Sequence, residues 1–153
     1  MSYLENTNKP ASAAVDSTRL IVGLIWLAGS LVNALVTTRM ADPYGWLQDS
    51  PFRPYRWFFG EVAGVHPTFW AALLAIGELS LAVLTLARGR WARSGLAGGA
   101  LFSLFLFASG LSYTLIMGPY ALLLAWLALH SYPKSAITRL SGFTHHGRSQ
   151  ARV

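Results

Sequence analysis

Long apolar segments alternate with short polar ones along most of the chain. The first covers about residues 20–38, and its part Leu20–Val36 contains no charged side chain. The second covers residues 68–87 and carries one charge, Glu78, near its middle. About 20 apolar residues suffice for a helix to cross the ~30 Å hydrocarbon core of a bilayer. Both segments are therefore predicted to be transmembrane helices.

A further apolar stretch over residues 95–131 is too long for one crossing at a rise of about 1.5 Å per residue. The strong break Gly118-Pro119 divides it into spans 95–117 and 119–132, the second of which is short. A break near Ser109-Gly110 would divide it more evenly. Either division predicts an all-α, integral membrane four-helix bundle.

The ends of the chain are polar and frame this bundle. Residues 1–17 bury too little apolar surface to fold alone and are predicted to be a disordered tail. Residues 18–133 form the four-span domain, and residues 134–153 form a basic tail. Asp16 or Ser17 is the predicted cap of the first helix.

The first span has an alternative interpretation as a cleaved signal peptide. Arg19 precedes the apolar run, and Val32-Asn33-Ala34 resembles a cleavage site. The run is longer than most signal-peptide cores, and the later spans need a helix to pack on. These two features favour a retained first helix.

Composition supports a membrane protein. Hydrophobic residues make up 54% of the chain and charged residues 12%, whereas a soluble domain carries about 25% charged residues. This shortage of polar groups argues against an ordinary soluble enzyme, a disordered chain and a nucleic-acid-binding module. The chain has no cysteine, which excludes disulfides, thiol redox chemistry and iron–sulfur clusters held by this chain.

The net charge of +6 predicts an orientation in the membrane. The turn between spans two and three is basic and contains no acid, and so is the tail that begins at Lys134. Basic residues beside apolar spans face the cytoplasm. Four spans place this turn and both termini on the same side, so we expect a multi-pass protein of the cell (inner) membrane with cytoplasmic termini.

The predicted outer loop, residues 40–67, is rich in aromatic residues. From Pro51 onward, Phe52, Tyr55 and Phe59 recur at helical spacing, which predicts a short amphipathic helix lying in the outer interface. An irregular loop whose aromatic side chains belong to an interfacial belt is the alternative.

Glu78 is the most informative residue for function. A carboxylate inside the bilayer is costly, so it should face the bundle interior and have a partner. Small or short side chains share its helix face: Ala71, Ala75, Ala82 and Thr85. Its candidate partners are polar residues of the other spans: Asn33, Ser103, Ser109 and Tyr113. Two hypotheses compete: Glu78 either locks the helices together, or it exchanges protons or anchors a ligand such as a quinone headgroup.

Other motifs indicate packing more than chemistry. Gly95, Gly99 and Ser103 form a small-residue stripe that favours internal helix packing over dimerisation. His66 and His130 fall at opposite ends of the predicted bundle, and His145-His146 lies in the tail. A haem or metal site is therefore not predicted. Phosphate-binding loops and nucleophile elbows are absent from the sequence.

Two stretches of sequence carry a family resemblance. The segments RLIVGLIWLAGSLVNAL and GELSLAVLTLARGRWARSG, with the aromatic loop between them, resemble the DoxX/DoxD-like family of small bacterial four-helix membrane proteins over residues 18–130. The resemblance implies a four-helix bundle and a link to quinone-dependent redox complexes such as thiosulfate:quinone oxidoreductase. Glu78 is the position that corresponds best.

Three functions follow as hypotheses. The first is an accessory or scaffold subunit of a redox-linked membrane complex, which docks a membrane or peripheral protein partner and shapes a lipid or quinone pocket. The second is a quinone-interacting oxidoreductase subunit in which Glu78 exchanges protons. Its ring pocket would be lined by candidates from three spans: Trp26, Asn33, Trp70 and Tyr113. The third is a small transporter. Homo-oligomerisation is left open.

Overall fold

The computed structural model describes residues 11–111, 114–136 and 138, and its regular structure is helical throughout these residues. Five α-helices follow in chain order: α1 (Ala13–Leu35), α2 (Arg53–Trp57), α3 (Pro67–Leu86), α4 (Arg90–Phe107) and α5 (Met117–Ala128). A π-helical turn, Phe58–Ala63, continues α2. Two 3-10 turns, Thr37–Arg39 and Gly45–Asp49, lie between α1 and α2.

Helix α1 begins earlier than predicted. Its N-cap is Ser12, whose Oγ accepts a hydrogen bond of 3.3 Å from the Val15 N–H. Asp16, one of the two predicted caps, therefore lies inside the helix. Ala11 and Val15 are buried, and the Ala11 N–H donates to the Ser131 carbonyl at 3.0 Å. Residues 13–17 are helical, so the prediction of a disordered tail is wrong for them. The hydrogen bond to Ser131 ties the start of this helix to the segment after α5.

The second predicted span agrees with helix α3 within one residue, but the division of the third apolar stretch does not. Helix α4 ends at Phe107, and the chain turns at Gly110, whose φ of +72° favours glycine. The break near Ser109-Gly110 is therefore the observed one, and the predicted spans 95–117 and 119–132 are wrong. Pro119 lies in the first turn of α5, where a missing N–H costs nothing.

The helices pack through small residues. A Cβ atom placed on Gly95 would lie 2.5 Å from the Thr85 nitrogen, and one on Gly99 would lie 3.0 Å from the Trp26 ring. Gly95, Gly99 and Ser103 are all buried, so the predicted use of this stripe for internal packing is confirmed. Their small size lets α4 approach both α3 and α1 closely.

Large apolar side chains lie mostly on the outside of the bundle. On α3 the buried residues are Ala71, Ala75, Ala82 and Thr85, which is the small-residue face predicted around Glu78. The opposite face exposes larger side chains: Phe69, Leu73, Ile76, Leu79 and Val83. Helix α1 likewise exposes Ile21, Leu24, Ile25, Leu31, Val32 and Leu35. This distribution is the reverse of that in a soluble helix bundle.

Arg19 is a fully buried cation at the end of the bundle opposite the 36–66 segment. Its guanidinium donates hydrogen bonds to the carbonyls of Thr85 (3.2 Å), Ala87 (2.6 Å) and Lys134 (3.2 Å). It also pairs with Asp16 at 3.0 Å and stacks 4.3 Å above the Tyr132 ring. Sequence analysis considered Arg19 only as the flank of an apolar run, because its partners are distant in sequence.

Candidate functional site

A cavity of about 510 Å³ lies between helices α1, α3 and α4 and the segment of residues 36–66. Its polar part comes from Asn33 of α1 and Glu78 of α3, with Tyr44 from the connecting segment. Its wall is largely aromatic and contains Trp46, Phe58, Phe59, Trp70, Phe102 and Phe105. A carboxylate beside an enclosed aromatic wall is typical of a binding site for a small organic molecule.

Glu78 and Asn33 meet at this cavity. The Asn33 Nδ2 donates to Glu78 Oε2 at 2.8 Å, so Asn33 is confirmed as the partner among the predicted candidates. Gly29, one turn before Asn33, allows this approach, because a Cβ there would lie 3.1 Å from both carboxylate oxygens. Ser30 adds a second link between the helices through its hydrogen bond of 2.8 Å to the Ala75 carbonyl. Glu78 is only half-buried, which leaves its carboxylate room to contact a ligand.

The aromatic wall depends on the short helix predicted after Pro51. Residues 53–63 are helical, which agrees with the helical alternative and not with an irregular loop. Phe59 is buried and Tyr55 half-buried, whereas Phe52 is exposed. The Phe58 ring packs edge-on against Trp70 of α3, with 5.3 Å between ring centroids. This contact joins the connecting segment to the helix that carries Glu78.

Two hydrogen bonds fix the connecting segment on the bundle, and a third lies within the segment. The Ser50 hydroxyl donates to the Ser109 carbonyl at 2.5 Å, and the Tyr55 hydroxyl donates to the Phe105 carbonyl at 2.6 Å. Arg56 donates to the Ser50 carbonyl at 2.9 Å. Ser109, a predicted partner of Glu78, is therefore used to hold the roof of the cavity.

Tyr44 is a residue of this site that sequence analysis missed. Its side chain is only 8% exposed, and its buried hydroxyl has no hydrogen-bond partner among the described residues. Burial raises the pKa of the Tyr44 phenol, and the negative charge of Glu78 raises it further. The phenol therefore stays protonated at neutral pH and keeps its donor hydrogen. The sequence around Tyr44 gave no sign of a role in this site beyond its place in an aromatic-rich loop.

The other predicted site residues are divided between the cavity and the core. Trp70 lines the cavity. Trp26 does not: its ring is buried in the core against Phe102 and Tyr120, with centroid distances of 5.9 and 6.0 Å. The Ser103 hydroxyl donates to the Gly99 carbonyl of its own helix at 2.9 Å and not to Glu78. Tyr113 lies outside the described residues.

The histidines do not converge on this cavity. His66 is exposed at the start of α3, as is Glu61, while Arg56 bonds to backbone carbonyls. The His130 ring packs edge-on against Trp126 at 4.7 Å. Within the described residues there is no group of three histidine or acidic side chains that could hold a metal ion. His145-His146 lies outside them.

The charge of the cavity limits the ligands that it can accept. Its described lining contains the Glu78 carboxylate and no lysine, arginine or histidine. An anion would therefore lose its hydration without gaining a cationic partner. The lining suits a neutral aromatic molecule with polar atoms, which can stack on the walls and form hydrogen bonds with Glu78 and Asn33.

Comparison with known proteins gives no relative of this chain: no protein-family model, curated protein or solved structure matches it.

Proposed function

We propose that the protein is a multi-pass protein of the cell membrane and an accessory subunit that houses a quinone headgroup for a redox partner. Helices α1 and α3 are long and apolar enough to cross a membrane. Only 28% of the most apolar stretch of each is buried, whereas the core helix of a soluble protein is mostly buried. The exposed apolar faces of both helices are then lipid contacts.

Helices α4 and α5 complete the proposed four crossings. They contain 18 and 12 residues, which correspond to about 27 and 18 Å at 1.5 Å per residue. Both expose large apolar residues, including Leu101, Leu104, Leu122 and Leu129. The short α5 is preceded by a turn at residues 114–116, which lengthens the part of the chain that lies across the membrane.

Reporter fusions test the orientation in the membrane. A reporter that is active only in the periplasm should be inactive when fused after Arg90 and active when fused after Trp46, because basic turns remain in the cytoplasm. A cytoplasmic reporter at the same two positions should give the inverse pattern. Periplasmic activity after Arg90 would contradict the proposed topology.

The cavity at Glu78 is the observation that carries the quinone proposal. Its aromatic walls can stack on a quinone ring, and Asn33 and Glu78 can form hydrogen bonds with a ring oxygen. The resemblance of the α3–α4 segment to DoxX-like proteins indicates the same ligand class. Since the chain has no cysteine, it carries no thiol or iron–sulfur redox group of its own, and in this proposal a partner protein supplies the electrons.

Glu78 has a defined chemical task in this proposal. Reduction of a bound quinone takes up two electrons from the redox partner and two protons, one for each ring oxygen. The protonated Glu78 carboxyl can donate a proton to the oxygen that it contacts, and water then reprotonates it. Water supplies the second proton to the other ring oxygen. Asn33 holds the carboxylate at 2.8 Å and so fixes its direction toward the cavity.

A binding titration tests the proposal. Trp46 and Trp70 line the cavity, so a short-chain 1,4-benzoquinone added to the purified protein in detergent should quench tryptophan fluorescence saturably. Mass spectrometry of the protein from native membranes should also find quinone in a fixed ratio. Quenching that rises linearly, without saturation, would exclude a quinone site in this chain.

The same purification tests the partner. A redox protein present in stoichiometric amount would place the electron-transfer centre beside this subunit. If the bundle purifies alone and binds no quinone, the accessory role and the quinone pocket both fail.

A further inference from the structure

We propose that Tyr44 is a specificity-determining residue of the cavity, whose hydroxyl donates a hydrogen bond to a second oxygen of the ligand. This inference rests on the proposed quinone function. It predicts that the cavity selects molecules with polar oxygens at two separate positions on a ring, such as 1,4-quinones. A lipophilic cation or a molecule with one polar end would use Glu78 alone.

The unpaired hydroxyl is the first argument. A buried hydroxyl without a hydrogen bond costs free energy, so nearly all buried polar atoms in proteins have a partner. The Tyr44 Oη is buried and lacks a partner within the described residues, although its ring packs against Phe59 with 6.2 Å between centroids. The ring is thus held in place, and a ligand oxygen would be the partner that the buried hydroxyl lacks within the described residues.

The position of Tyr44 is the second argument. It belongs to the segment that covers the cavity, whereas Asn33 and Glu78 belong to the helices of the bundle. A ring bound between them therefore meets polar groups from two different parts of the wall. Glu78 and Asn33 can serve one oxygen, and Tyr44 can serve another.

The chemistry of the groups distinguishes the two positions. A phenol can donate its proton to a carbonyl oxygen, while a carboxylate only accepts unless it is protonated. The quinone oxygen at Tyr44 is thus held by a stable donor, and the oxygen at Glu78 is the one that receives its proton from a protein carboxyl. This asymmetry orients the headgroup in the cavity.

The variant Tyr44→Phe tests the inference, because it removes one oxygen and keeps the ring. Loss of one neutral hydrogen bond should weaken binding of the short-chain 1,4-benzoquinone by about threefold to tenfold. Tyr120→Phe is the matched control: its hydroxyl is also buried and has no hydrogen-bond partner among the described residues, and Tyr120 does not line the cavity. It should leave the quinone affinity unchanged.

Infrared spectroscopy of the bound quinone provides a second readout. A hydrogen bond lowers the stretching frequency of a carbonyl, so a quinone labelled with ¹³C at one carbonyl should show one band that returns toward its free frequency in Tyr44→Phe. Tetraphenylphosphonium, a lipophilic cation with no oxygen, should bind no better than weakly and show no dependence on Tyr44.

The outcomes separate this inference from the proposed function. If the wild-type protein binds the quinone and Tyr44→Phe has the same affinity and carbonyl bands, the role of Tyr44 is overturned and the quinone site stands. An equal loss in Tyr120→Phe would also overturn it. If the wild-type protein fails to bind quinone but binds the phosphonium cation, the proposed function itself is wrong.

Discussion

Replacement of Arg19 by methionine should lower the free energy of unfolding by about 3–5 kcal/mol. The guanidinium serves three carbonyls, one carboxylate and one aromatic ring. Methionine fills part of the volume but leaves the Asp16 carboxylate, which is 7% exposed, without its counter-charge. Leaving one buried charge without its partner costs far more free energy than replacing both charges by apolar residues.

The carbonyls at the end of α3 increase this cost. Thr85 and Ala87 lie in the last turn of the helix and just beyond it, where carbonyls lack partners within the helix and carry the negative end of its dipole. Arg19 from α1 neutralises both and also binds the Lys134 carbonyl. Removing it breaks one link between the segment after α5 and the end of α3 and leaves these carbonyls without their cationic partner.

Unfolding in mixed micelles of increasing denaturing detergent measures this effect. Arg88→Met is the matched control, since Arg88 is an exposed arginine next to the same turn, and it should change the unfolding free energy by less than about 0.5 kcal/mol. Arg19→Lys should recover only part of the loss, because an ammonium lacks the planar fork of the guanidinium. Equal stabilities of Arg19→Met and Arg88→Met would show that this network contributes nothing.

Local patterns predict the helices, but not how each one ends. Helix α3 was predicted within one residue because twenty apolar residues between Pro67 and the basic turn leave no other choice. The end of α4 was not, since Gly118-Pro119 is a stronger local break than Ser109-Gly110. The observed break depends on the turn at Gly110, which packs against the Phe52 ring. A Cβ atom placed on Gly110 would lie 2.7 Å from that ring. That contact is long-range and invisible to a local pattern.

The part of the candidate site that could be predicted from the sequence is the pair of polar side chains, because an unpaired polar group inside an apolar helix costs free energy. A carboxylate and an amide in apolar helices have few possible partners, so Asn33 and Glu78 could be paired from sequence. Tyr44 was missed because the local sequence does not distinguish an aromatic loop residue that faces lipid from one that faces the core or a cavity. Trp26 was assigned to the pocket for the converse reason: its face on α1 points to the core beside Gly99, not to the cavity.

Simultaneous replacement of Glu78 and Asn33 by leucine should weaken quinone binding strongly while leaving the bundle as stable as before, or more stable. Exchanging both partners of a buried polar contact for apolar residues is often neutral or stabilising. Loss of the hydrogen bonds that Asn33 and the protonated Glu78 can donate to a quinone oxygen should weaken affinity by about tenfold to a hundredfold. The binding measurement separates the two hypotheses for Glu78, because a residue that only locks helices together should leave the quinone affinity unchanged when it is removed.

Ser30→Ala is the matched control for this pair. Its hydroxyl joins α1 to α3 through the Ala75 carbonyl, but it does not line the cavity. It should lower the unfolding free energy by about 1 kcal/mol and leave the quinone affinity unchanged. Glu78→Gln, which can still accept the Asn33 hydrogen bond but cannot ionise, should retain the fold and lose proton exchange. If the double leucine variant unfolds more readily than Ser30→Ala yet still binds quinone, Glu78 serves the packing of the helices and the ligand is held by the aromatic wall alone.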